Sequence, residues 1–430
     1  MSSANLSRQF TKKHPNLACI FKKHWNTSLS KYTEQLYQKP SFPIENELLE
    51  AFQEEWQDTG FTREQIDEAT QQLIKTSTIQ TSHHVTPTNG PTFLSLDIIC
   101  LTGLVFSDYY LVGANSGVSF SNVAWSGALS FGDLPLGVLL KKSSKSYSQA
   151  IKAAKERRVH GDNDSRISLI PSKQRDQLVY GTNLTTQQIE LFSDFEQPLK
   201  AILPDSPVKS AYSHWAVNVC SAIQNSIFNT NKILYFDINR VIRRYLLKIL
   251  SSEKDHAIKQ LFHSQTPEST IIWKAFNLPS PLLSNYRGKK SSKVDHLYWD
   301  HNYLTGTKRS YRVESIDKLY QLLSDDHICP GVFIVFLVLK FLNGIRCLGS
   351  FNQIEYLENY RKTWQQLDLN WKLDLSDDIM NSLTSGRLLV DNRPVWPLDL
   401  FMKQEQLSIE EFSSWKLGKL WEPIVNQLSK

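Results

Sequence analysis

The stretch from Thr76 to Gly113 constrains this chain more than any other, because its texture changes three times within the length of one supersecondary unit. Ser77-Thr78-Ile79-Gln80-Thr81-Ser82 favours extended backbone, and His83-His84-Val85-Thr86-Pro87-Thr88-Asn89-Gly90-Pro91 is dense in turn formers and side-chain donors. Phe93, Leu94, Leu96, Ile98, Ile99 and Leu101 then begin an apolar helix, and Tyr109-Tyr110-Leu111-Val112-Gly113 is β-like again. Two strands separated by about one helix length satisfy the needs of a right-handed βαβ crossover. The pattern predicts an α/β fold built on a Rossmann-like parallel sheet.

Four sections are expected around that core: an N-terminal helical segment over 1–75, the α/β core over 76–185, a large helical and irregular insertion over 186–325, and helices and a strand over 326–430 that complete the core. In the first, Leu36, Leu48, Leu49, Phe52 and Trp56 recur at near-helical spacing, while Glu54, Glu55, Asp58 and Glu64 fill the other faces. Thr62 followed by Gln65 makes a capping-box start for a helix reaching Ile74. The insertion carries an apolar stripe from Ile233 and Leu234 through Val241, Tyr245 and Ile249 beside Arg240, Arg243, Arg244 and Lys248, and residues 278–311 read as polar and irregular. A buried helix is expected after Pro330, with Gly344 and Gly349 bracketing its exit.

Composition removes several function classes. The 48 basic and 43 acidic residues leave a net charge of +5, too mild to demand nucleic acid or a membrane surface as partner. Five widely spaced cysteines (Cys19, Cys100, Cys220, Cys329, Cys347) make neither a zinc knuckle nor a disulfide scaffold. The longest apolar stretch, Val332 to Leu342, is interrupted by Lys340 and falls short of the roughly 20 residues a membrane span requires. Residues 1–25 show no secretory signal, so a cytoplasmic protein is expected. Walker, dinucleotide-glycine, Gly-x-Ser-x-Gly and kinase signatures are missing from the sequence.

Five segments could carry chemistry. In Thr81 to Asp97 a loop leaves the carboxyl end of a parallel strand and enters a helix, the place where open α/β sheets bind ligands. His83 and His84 there could serve as general base or as donors to a carboxylate, with a metal role disfavoured because adjacent rings do not readily meet one ion. Thr81 and Asn89 are candidate substrate contacts. Asn115 to Asn122 could hold a polar ligand around Gly117, with Asn122 as the contact, although a plain turn explains it equally well. Lys141 to Arg166 holds eight Lys/Arg against three Asp/Glu, and Arg157 and Arg158 could grip a phosphate, as could any solvated helix of that kind. Asp295 to His301 repeats an Asp-His pair, whose members point apart on a strand or helix, which favours surface placement. Gly349 to Tyr356 gathers Asn352, Gln353, Glu355 and Tyr356 at a helix start, either as a binding site or as an ordinary capped helix.

The first and last of these segments resemble the bacillithiol biosynthesis cysteine-adding enzyme family. Its Thr-Gly-Gln-Gln loop with a nearby Gly-Pro is similar to Thr81-Ser82-His83-His84 with Gly90-Pro91, and its Gly-Pro-Gly-Glu-Ile-Ala-Tyr signature to Ser350-Phe351-Asn352-Gln353-Ile354-Glu355-Tyr356. The clean matches are Thr81, Gly90, Pro91, Ile354 and Tyr356. Both glutamines of the loop are histidines here, and Gly113-Ala114-Asn115-Ser116 stands where the family has an acidic stretch. The resemblance implies a Rossmann-like core with helical additions. It does not transfer the bacillithiol reaction.

The expected function is an enzyme that binds a small carboxylate-bearing metabolite and condenses it with an amine or transfers a group to one, as in secondary metabolism. His83 or His84 would be the general base, and Thr81, Asn89, Asn122, Asn352, Gln353 and Tyr356 would position substrate. The cofactor and oligomeric state stay open. The alternative is a catalytically inactive binding or scaffold protein on the same fold.

Overall fold

The computed structural model describes residues 6, 8–37, 42–85, 89–105, 107–116, 212–263, 267–277, 280–284, 295–300 and 302–428, with four short strands between 117 and 211. The chain opens with helices α1 (Arg8–Lys13), α2 (Pro15–His24), α3 (Leu29–Leu36), α4 (Asn46–Thr59) and α5 (Arg63–Thr76). The Thr62 hydroxyl accepts from the Gln65 amide and the Gln65 side chain accepts from Thr62 in return, so the α5 start is the reciprocal cap its sequence calls for. Strand β1 (Thr78–Gln80), helix α6 (Pro91–Leu101) and strand β2 (Tyr110–Ala114) follow in the anticipated order. Strands β3 (Ala128–Leu129), β4 (Val138–Leu139), β5 (Ser165–Leu169) and β6 (Leu178–Gly181) form two antiparallel pairs.

The next part departs from the periodicity. The apolar stripe that begins at Ile233 is divided: after α7 (Tyr212–Ile227), residues Ile233–Asp237 form strand β7, and only then does α8 (Ile238–Ser251) begin. The reason is visible in retrospect. Ile-Leu-Tyr-Phe is a β-branched and aromatic run with every position buried, and Asp237 ends it by accepting from the Asn239 and Arg240 amides as the α8 cap. Helices α9 (Ala257–Phe262) and α10 (Pro267–Ala275) come next.

The described parts of 278–311, expected to be irregular, are strands β8 (Leu282–Ser284), β9 (Asp295–Asp300), β10 (Tyr303–Thr305) and β11 (Ser310–Arg312). After α11 (Ile316–Ser324), β12 (Ile328–Pro330) pairs with β8 and completes a five-stranded antiparallel sheet. Along β9 Asp295, Leu297 and Trp299 face inward while His296, Tyr298 and Asp300 face out, an alternation that frequent charged residues concealed.

The buried helix after Pro330 is α12 (Val332–Phe336), which widens into a π-helical stretch over Leu337–Leu342. Lys340 within it is buried, and its ammonium meets Asp374 Oδ2 at 2.7 Å, Ser376 Oγ at 3.0 Å and Asp378 Oδ1 at 2.5 Å. At Gly344 the chain turns with φ +60°, a conformation that favours glycine. Strand β13 (Arg346–Leu348) and helix α13 (Phe351–Gln365) follow.

The result is a mixed α/β structure whose parallel sheet runs in the order β13-β1-β2-β7. Thr78 pairs with Arg346, Gln80 with Val112, and Tyr110 with Ile233, all in parallel register. The chain moves outward from β1 to β2 and β7, then returns to add β13 on the other side of β1. That reversal makes the carboxyl ends of β1 and β13 a topological switch point, the place where open α/β sheets form their ligand crevice. The N-terminal helices reach across to the C-terminal section: Asn16 donates to Glu355 Oε2 at 2.7 Å, Tyr32 donates to the Leu383 carbonyl at 2.8 Å, and Phe21 packs on Trp421. Among the described residues no helix is long and apolar enough to cross a membrane.

Candidate functional site

Because its four strands are parallel, their exits gather along one edge of the sheet. Thr81 to Val85 leave β1, Asn115 and Ser116 leave β2, Asp237 ends β7, and Gly349 and Ser350 lead from β13 into α13. The loop after β1 is stitched to both neighbours. The Thr81 amide donates to the Leu348 carbonyl at 3.0 Å, the Asn115 amide to the His83 carbonyl at 2.7 Å, and the Val85 amide to the Asn115 carbonyl at 3.2 Å.

Gln353 joins the two stretches that sequence singled out. Its Nε2 donates to Thr81 Oγ1 at 2.9 Å and to the Cys347 and Leu348 carbonyls at 3.1 and 3.3 Å, while its Oε1 accepts from Ser82 Oγ at 3.1 Å. A Cβ on Gly349 would lie 2.3 Å from the Gln353 amide carbon, so only glycine leaves room for this side chain. Gln353 is buried and its hydrogen bonds are committed within the chain, which makes it the brace of the crevice. Asn352 beside it is exposed. Tyr356 is half-buried, packs on Phe336 and Tyr360 at 5.6 and 5.8 Å between ring centroids, and has its phenol pushed well above the usual range by burial. Ser350, the α13 N-cap, makes no side-chain bond to the first turn.

The two histidines part ways. His83 is fully buried, with Nδ1 3.2 Å from the Tyr235 hydroxyl and 3.3 Å from Asn89 Nδ2. Asn89 Nδ2 also lies 3.1 Å from both Tyr235 Oη and Cys220 Sγ, so its two amide protons serve three acceptors. The neutral ring meets the phenol in either tautomer, with Nδ1 accepting its proton and Nε2 protonated, or with Nδ1 donating and Nε2 bare. That Nε2 faces Asp97 Oδ1 at 3.6 Å, too far for a hydrogen bond. Burial lowers His83 to about 3, with the neighbouring His84 adding to the effect. His84 is half-buried, its Nδ1 has no hydrogen-bond partner, and burial lowers it to about 4. Both imidazoles are neutral at pH 7.

A second constellation at this edge escaped the sequence. Glu55 of α4, expected on a polar helix face, is fully buried and pairs with His214 Nε2 at 2.8 Å and Arg240 Nε at 3.3 Å. Asp237 accepts from Ser116 Oγ at 2.7 Å, and burial, helped by the Glu55 charge, raises it to about 6. No local spacing could reveal the Glu55–His214 pair, because 159 positions separate its members. The one available signal was Glu55 itself, which at three residues from Phe52 and seven from Leu48 falls on the apolar face of α4.

Asn122, Arg157 and Arg158, with the rest of the basic stretch except Ser165 and Arg166, lie outside the described residues, as do Thr86, Thr88 and His301. In the Asp295 segment, Asp295 is buried and accepts from the Thr307, Lys308 and Arg309 amides at 2.9, 3.1 and 3.0 Å. It anchors a hairpin, and His296 is exposed. Among the described residues no group of three or more His, Cys, Asp or Glu is placed to hold a metal ion. No family model matches the chain, and no curated protein matches it.

Proposed function

We propose that this chain is an enzyme with a Rossmann-like organisation that binds a small carboxylate-bearing metabolite at the β1/β13 crevice. It would condense that metabolite with an amine, or transfer a group to the amine; the bacillithiol-type resemblance bears on the fold and not on the reaction. The observation that carries the reading is the Gln353 brace, which draws Thr81 and Ser82 against the start of α13 where the strand order reverses. The unbonded first turn of α13 and the exposed Asn352 offer donors to a carboxylate. His84 would take the proton that an attacking amine loses; burial keeps this imidazole unprotonated but also weakens it as a base, so the role requires the bound substrates to restore its basicity. His83, sealed behind it, positions the loop.

A binding protein without catalysis is the second reading, favoured by the weak basicity that burial gives both imidazoles. Calorimetric titration with a panel of amino acids and sugar acids, followed by turnover assays with added amines, separates the two. The enzyme reading expects a carboxylate ligand whose affinity drops in Asn352→Ala and whose turnover, with binding kept, drops at least about 100-fold in His84→Ala. Wild-type binding and turnover in folded His84→Ala would overturn it.

A further inference from the structure

Among the described residues, the half-buried arginines Arg240, Arg243, Arg244, Arg346 and Arg361 each meet a carboxylate, from Glu55, Asp326, Asp58, Asp378 and Glu358 in turn. Arg387 is half-buried too and has no such partner among them. Its Nε is enclosed without a hydrogen bond, and the nearby hydroxyls of Ser95 and Ser385, both buried and themselves unpaired, do not serve it. Burial lowers this guanidinium from its ordinary value, with no carboxylate near enough to offset the loss of water. A cation drawn partly out of water with no countercharge is costly, and such a group points to an anion that the chain itself does not supply.

Bonds already formed carry Arg387 to the ligand edge of the parallel sheet. The Gly349 amide donates to the Ser382 carbonyl at 2.9 Å and the Thr384 amide to the Gly349 carbonyl at 3.0 Å, so residues 382–384 run parallel to the chain where it leaves β13. Gln80 Nε2 donates to Thr384 Oγ1 at 2.9 Å and ties the same segment to the end of β1. Arg387 is held three residues further on, at most about 11 Å of extended chain from Thr384. Its backbone is fixed: Trp421 Nε1 donates to the Ser385 carbonyl at 3.0 Å, the Arg387 amide to the Leu420 carbonyl at 2.8 Å, and a Cβ on Gly386 would lie 3.0 Å from Leu420 Cβ and 3.3 Å from Ser95 Cβ. We infer that Arg387 is the countercharge for the metabolite's carboxylate, its planar fork donating two parallel N–H bonds to the two oxygens. The side chain is half-exposed, so the anion reaches it from solvent and the core need not open. No second cation acts on this guanidinium, and a lone positive charge matches a carboxylate better than a phosphate dianion. The assignment rests on the reading of a carboxylate ligand at the β1/β13 switch point, and it supplies the charge that the neutral donors of α13 lack. Arg387 acts there through its side chain, its amide being engaged with Leu420.

Thermal unfolding of the full chain in sodium succinate, against sodium phosphate and sodium chloride at equal ionic strength, tests it. The wild type should show a saturable rise in melting temperature in succinate, a smaller one in phosphate and none in chloride. Arg387→Gln should weaken the apparent succinate affinity at least about tenfold through the lost charge-assisted pair. Arg387→Lys, which keeps the charge and loses the fork, should fall between the two, and it decides the matter if Arg387→Gln does not fold. No saturable response in the wild type, a response to phosphate as strong as to succinate, or an affinity unchanged in either variant would overturn the proposal. Succinate binding lost in Asn352→Ala but kept in Arg387→Gln sinks this assignment and leaves the crevice reading standing. Binding lost in Arg387→Gln but kept in Asn352→Ala upholds Arg387 and removes the α13 start from the site.

Discussion

His83 and His84 are adjacent in sequence, and extended backbone sends adjacent side chains to opposite sides. One ring enters the space beneath α6 and the other stays at the edge of the sheet, a division that the His-His pair could not announce. Its consequence is a pH dependence. His83 titrates near 3 in the folded chain and near 6.5 when unfolded, so between those values the unfolded state binds a proton that the folded state does not. Stability from this group is complete above pH 6.5 and is lost as pH falls toward 3, at about 1.4 kcal/mol per pH unit. His84 adds the same sign between 6.5 and about 4. Asp97 acts oppositely: burial raises it, so its penalty grows as pH rises above 3.8. Urea unfolding of His83→Gln across this range should therefore show a flatter acid limb than wild type. An unchanged slope would mean that His83 is not held neutral by burial.

At the scale of elements, legibility followed the clarity of local rules. The Thr62/Gln65 cap and the β1-α6-β2 unit were readable because capping and apolar periodicity are written in neighbouring residues. Strand β7 was not, since its apolar run continues without a break into the stripe of α8, and only Asp237 marks the boundary. Strand β9 was hidden for the opposite reason, its inward Asp295 being polar yet satisfied by three backbone amides. The crevice brace was half legible. Gln353 stood out as a polar group at a helix start, but its bonds to Thr81 and Ser82 span 272 and 271 positions. A double-mutant cycle tests that brace. Gly349→Ala should cost about 1–3 kcal/mol by pressing on the Gln353 amide, and Gln353→Ala a similar amount through its lost bonds. With the amide already removed, Gly349→Ala should cost less than about 0.5 kcal/mol. Additive effects in urea denaturation would show that the glycine and the glutamine are independent.

For the whole molecule, the decisive event is the return of the chain to lay β13 beside β1 after β2 and β7 have been added on the other side. That step makes residues 81–84 and 349–353 neighbours and leaves the exits of all four parallel strands on one edge, with Glu55, His214 and Asp237 completing it. A parallel sheet was foreseeable from one βαβ unit, but its strand order depends on pairings between segments more than 100 residues apart, for which a single sequence gives no sign. The five-stranded antiparallel sheet stands apart from this edge in chemistry, its inward polar group already satisfied. The claim that the reversal crevice is the ligand site is tested most directly by amide hydrogen exchange of the full chain, with and without the tightest carboxylate ligand of the calorimetric panel. Slowed exchange confined to residues 81–85, 115–116 and 349–354 is the predicted result. Protection falling instead on β8 to β12, with the crevice unchanged, would contradict it.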